Sequence, residues 1–169
     1  MDRDPRTLDE TGPGGDAAQA LLKVQVIAGA MALTAVTVAG MTWFLANFGG
    51  WPAPAGDGSP VAGALAIAAA AALLAAPFVE RRMLGPSAPS APRPPSPGIE
   101  RYQRAKTIGF ALRELVALLG FVLAILTGEP LWCYGLSAAA LVGMALAWPR
   151  AADLPPRAGG RTPGSVEPG

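Results

Sequence analysis

Apolar residues fall into four long blocks separated by polar stretches. Val24 to Ala46 runs 23 residues without a charge, Val61 to Val79 runs 19, Thr107 to Thr127 carries one adjacent charged pair, and Leu131 to Trp148 runs 18 uncharged. At 1.5 Å per residue a 23-residue helix reaches about 34 Å, enough for a hydrocarbon core of about 30 Å. A bilayer offers no water to unsatisfied backbone groups, so each block is predicted to be an α-helix. The expected architecture is an all-α membrane protein, four transmembrane helices in a bundle with disordered polar tails over residues 1–22 and 149–169.

The connections fix the expected orientation. Residues 47–60 hold Gly, Pro and one Asp but no base, and Gly128, Glu129 and Pro130 form a short turn, also without a base. The middle connection, 80–106, carries Arg81, Arg82, Arg93, Arg101, Arg104 and Lys106 against Glu80 and Glu100, with six prolines between Pro86 and Pro97. That proline run reads as a polyproline-like linker. Lys and Arg resist translocation, so the middle connection and both termini are expected on the cytoplasmic side. Trp43, Phe44, Phe48 and Trp51 gather where the first helix would meet the opposite headgroup layer. The acidic start of the chain lacks the basic region of a secretory signal, so the first block is expected to be retained.

Composition removes several function classes. Of 169 residues, 51% are hydrophobic, none is histidine and one is cysteine, Cys133, which excludes an intrachain disulfide, a His/Cys metal site and a His-based triad. Net charge is +1, which gives no footprint for nucleic acid. No phosphate loop, paired carboxylates or metal-spaced cluster is present in the sequence, so no enzyme activity, metal or cofactor is expected. Twenty-one Gly and 18 Pro, with abundant Ala and Arg, fit a GC-rich bacterial genome and hence a bacterial inner membrane.

The candidate chemistry is sparse. Arg113 and Glu114 are the charged residues inside a predicted span. They diverge by about 100° around the helix and do not pair on one face. Arg113 is long enough to snorkel to the headgroups and reads as an interface anchor. Glu114 is deep enough that a lipid-facing carboxylate is costly. It is a candidate proton or cation site, or a contact that fixes a partner helix, or a carboxyl that bonds within its own bundle; the sequence leaves these open. Thr34, Thr37, Thr42 and Ser137 are expected to bond their own helix backbone, and Cys133 to pack as a small buried residue. Gly120, Ala124, Gly135, Ala139 and Gly143 are predicted helix-packing positions, because small residues allow close backbone approach in lipid. Arg81, Arg82, Arg101, Arg104 and Lys106 are candidate headgroup ligands, a placement that topology alone also explains.

The stretch around Tyr102, Gln103, Lys106, Ile108, Ala111, Leu112 and Glu114, followed by Ala117 to Ala124, resembles the third helix of a group of small, uncharacterised bacterial four-span membrane proteins. That resemblance implies the four-span layout and no activity. The segment from Ala111 to Leu126 also resembles the carboxylate-bearing helix of rotary ATPase c subunits, with Glu114 in the place of the acid. The chain departs from that pattern in its four spans and in Arg113 beside the acid. The expected role is an accessory or interaction component, with the bilayer and either another membrane protein or further copies as partners. The alternative is a proton- or cation-linked conduit using Glu114.

Overall fold

The computed structural model describes residues 13–51, 59–85 and 97–153. Four α-helices carry the fold: α1 Pro13–Phe44, α2 Ser59–Leu84, α3 Pro97–Thr127 and α4 Leu131–Leu146. A π-helical turn, Leu45–Gly49, follows α1, and a short 3-10 turn, Ala151–Asp153, follows α4. No strand is present among the described residues. Three of the helices, α1, α2 and α3, are long and apolar enough to cross a membrane, and α4 is a shorter apolar helix. The predicted loop within 52–58, the proline run at 86–96, the first 12 residues and the tail from 154 lie outside the described residues.

α1, α2 and α3 are longer than the apolar blocks that nucleate them, whereas α4, 16 residues, ends two residues before its block does. α1 begins inside the acidic N-terminal segment, α2 continues through Pro77, Glu80, Arg81 and Arg82 to Leu84, and α3 starts ten residues before Thr107. Hydropathy marks where charge begins, whereas a backbone helix ends where its hydrogen bonds end. Pro97 suits the first helical position because its missing N–H would be unpaired there, and Glu100 complements the positive end of the dipole. Thus residues 80–84 and 97–106, predicted as part of a linker, are helical.

Local bonds hold the ends and the hydroxyls. The threonines at 34, 37 and 127 each donate to the carbonyl four residues earlier, at 2.8–3.2 Å, which satisfies the hydroxyl without a partner helix, and the Thr42 hydroxyl lies 2.9 Å from the Val38 carbonyl. Gly128 ends α3 in the left-handed region at φ 73°, where a side chain would be strained. The chain then reverses through Glu129 and Pro130, so that α4 returns antiparallel along α3.

α3 is the central element and packs on α1, α2 and α4. One core cluster joins all four helices through Ala35, Ala69, Ala72, Val116, Ala117 and Ala140. A second unites Ala28, Phe110 and Met144. Alanine dominates because in lipid the gain comes from close dispersion contact rather than from hiding apolar surface. α3 and α4 approach tightly at Gly120, where an added Cβ would stand 2.7 Å from the Leu136 Cβ and 3.1 Å from the Trp132 carbonyl oxygen. Ala124 is buried and Ala139 half-buried. Gly135 differs from its predicted packing role: it is exposed, with open space around its would-be Cβ, because α4 turns that face away from the other helices.

These two glycines separate seam from surface. Gly120→Ala should lower stability by about 1–3 kcal/mol, since a backbone carbonyl cannot yield to the new methyl, whereas Gly135→Ala should raise it by up to about 1 kcal/mol, the helix propensity gained at an open position. Thermal unfolding of the two purified variants in mild detergent checks the contrast.

Candidate functional site

The principal polar site lies where the C-terminal ends of α2 and α4 meet the first half of α3. Glu80 is the final apolar-block neighbour on α2, yet it is helical and 8% exposed. Arg113, 5% exposed, donates from Nη1 to Glu80 Oε1. Lys106, 8% exposed, places Nζ 3.6 Å from Glu80 Oε2 and donates to the Ala147 carbonyl at 3.1 Å. One carboxylate therefore sits between two cations, and the excess positive charge is offset by the negative end of the α4 dipole, whose last carbonyls Lys106 meets.

Two glycines make room for this cluster. A Cβ on Gly109 would collide with the Glu80 carboxyl, and one on Gly143 would stand 3.2 Å from both Cδ and Nε of Arg113. Gly143, predicted as a helix-packing residue, thus clears space for an arginine side chain rather than for a neighbouring backbone. Aromatic rings cover the cations: Arg113 lies 5.8 Å from the Phe110 ring centre and Lys106 lies 6.0 Å from that of Tyr102. Phe110 in turn meets Trp148 edge to face at 6.5 Å. The Tyr102 hydroxyl is buried beside this group and has no hydrogen-bond partner among the described residues.

Arg113 therefore departs from the predicted interface anchor. Its side chain does run back toward the basic end of the bundle, but it stops at Glu80 inside the protein instead of reaching a headgroup. Lys106 separates in the same way from the other predicted headgroup ligands. Arg81, Arg82 and Arg104 are exposed, while Arg101 is partly buried and donates from Nε to the Met83 carbonyl, tying the start of α3 to the end of α2. A cavity of about 420 Å³ opens at that junction, lined by Met83, Glu100, Arg101 and Arg104.

Glu114 is placed apart from the cluster. It is half-buried on the flank of α3 and has no hydrogen bond or ion pair among the described residues. At the other end of the bundle, Thr42 of α1 donates to Cys133 Sγ of α4 at 3.1 Å, and Cys133 lies 3.8 Å from Ser137 Oγ. Gln25 reaches the Pro149 carbonyl at 3.2 Å, so α1 is bonded to the α4 side at both ends. No group of three potential metal ligands occurs among the described residues.

Sequence reasoning passed over Glu80 because Arg81 and Arg82 follow it, which reads as the edge of a polar loop. A signal was nonetheless present. Lys106, Gly109 and Arg113 recur at i, i+3 and i+7 on one helix face, so two cations flank a gap that an acid from a neighbouring helix could fill.

No protein-family model, curated protein or solved structure matches this chain.

Removing the acid alone strands two buried cations. Glu80→Gln should cost about 3–5 kcal/mol, well above the cost of Glu114→Gln, whereas replacing Glu80, Lys106 and Arg113 together by Met should recover much of that loss. Denaturation by SDS titrated into mild detergent, followed by circular dichroism, ranks the variants. Cys133 should also resist maleimide in the folded protein and react after unfolding, as its buried, bonded thiol requires.

Proposed function

We propose that this chain is a bacterial inner-membrane protein that crosses the bilayer four times, with both termini cytoplasmic, and serves as an interaction component of a larger membrane assembly. The register of α4 on α3 supports the fourth crossing. Lys106 meets Ala147 near one end of the pair and Gly120 meets Leu136 toward the other, so the shorter helix runs beside the length of α3 that lies between the basic residues and Thr127. The six bases of the middle connection, against none in the flanking ones, support the orientation.

The observation that carries the interaction reading is how the interior is used. Alanines from all four helices fill the middle of the bundle, and its buried carboxylate is held by two cations of the same chain. Such an interior favours a rigid scaffold over a polar path. The outer surface is then what acts, through broad apolar faces such as those bearing Leu33, Ile67, Leu74 and Phe78. Arg81, Arg82 and Arg104 stand at the cytoplasmic rim, where each base contributes about 1 kcal/mol of attraction to anionic headgroups.

Extraction of the tagged full chain from its native membrane in mild detergent should yield a stoichiometric membrane-protein partner, identified by mass spectrometry. The reading fails if the chain is recovered alone while proteoliposomes of the purified protein show a pH-dependent cation flux that Glu114→Gln abolishes, for that result would establish the conduit.

A further inference from the structure

The outward face of α3 repeats its apolar residues with a coiled-coil spacing. Ile108, Ala111, Leu115, Leu118, Val122 and Ile125 follow one another at alternating steps of three and four, and all six are exposed. A seam of that period keeps facing a partner helix that supercoils around it.

The seam is also recessed. Its large residues are 36–43% exposed, against 65–76% for Leu33, Phe78, Ile67 and Leu74 on α1 and α2. α1 and α2 each pack on α3 but build no extended seam with each other, so they flank α3 as two walls. The surface is a shallow groove of one helix's width with α3 as its floor.

Glu114 stands at the edge of that groove, immediately before Leu115. With Ile108, Leu115 and Val122 at the a positions of the heptad, Glu114 takes a g position, where charged residues pair between helices and select the partner. It lies seven residues, or about 10 Å, beyond Thr107 and thirteen residues, or about 20 Å, short of Thr127, well inside the apolar stretch of α3. A carboxyl at that depth needs a donor, and the described part of this chain supplies none.

We infer that the α3 groove docks a transmembrane helix of another protein, one that carries a Lys or Arg at the level of Glu114 to pair with it. This rests on the reading of the chain as an assembly component and names the chemistry of its partner. Charge complementarity selects this occupant over a second copy. The buried cations of a copy, Lys106 and Arg113, are paired with its own Glu80, and its exposed bases Lys23, Arg81, Arg82, Arg104 and Arg150 lie outside the apolar blocks.

The test places a photo-crosslinking benzoylphenylalanine at Leu118 of the full chain in its native membrane, with Leu74 on the outer face of α2 as the comparison position. The expected result is a Leu118 adduct whose sequenced peptide is a transmembrane segment with a Lys or Arg within its apolar stretch. Glu114→Gln should reduce that adduct by about tenfold or more, as loss of a desolvated charge pair does, while leaving thermal stability unchanged. Exchanging the charges, Glu114→Lys with an acid in place of the partner's base, should restore it. Adducts with a second copy, with lipid only, with a segment lacking a base, or with a yield indifferent to Glu114→Gln each overturn the inference. A stoichiometric partner that crosslinks from Leu74 but not from Leu118 refutes the groove and spares the assembly reading, whereas absence of any partner removes both.

Discussion

Glu80 is held between Arg113 and Lys106, and the arrangement of three helices follows from that contact. The carboxylate belongs to the last turns of α2, both cations belong to α3, and Lys106 continues to the final carbonyls of α4. Apolar contacts between helices in lipid are nearly indifferent to sliding by a turn, because one alanine packs much like the next. A buried ion pair is not indifferent: a shift of α2 by one turn, about 5.4 Å, would leave two cations without an anion. The cluster adds little to net stability once desolvation is counted. Its contribution is register, and the glycines at 109 and 143 are the space that this register requires.

Two polar links complement it. Thr42 with Cys133, and Gln25 with the Pro149 carbonyl, bond α1 to the α4 side at opposite ends, which aligns α1 along a helix already positioned by the cluster. Between these fixed levels the four-helix alanine core needs only small side chains, and it uses them. Because alignment is handled by side chains inside the bundle, the outside of α3 is left without an intrachain role, and there Glu114 stands with its apolar seam.

The apolar blocks were legible in the sequence because a span must be long and uncharged, and each block carries one of the four helices. The helix ends were less legible. Residues such as Arg81, Arg101 and Arg104 continue a helix while their side chains reach polar surroundings, so a charge marks the membrane surface and not the end of the backbone ladder. The same confusion hid half of the site. Arg113 was visible, but its partner lay in a segment that read as loop, so the arginine had no visible destination except the headgroups. Gly143 was found for its size and proved to matter for a side chain, while Gly135 shares its spacing and faces outward. Spacing of small residues marks a helix face; it does not say whether that face is covered.

The position of Glu80 in the chain also sets an order of events during synthesis. It is made 26 residues before Lys106 and 33 before Arg113, so when α2 alone has been made its acid has no cation beside it except Arg81 and Arg82, which are exposed. The two bases that pair with its carboxylate come only with the following helix. α2 and α3 thus depend on one another, since the acid of the first is neutralised only by bases of the second, and α4 adds to that pair a terminal carbonyl that receives Lys106.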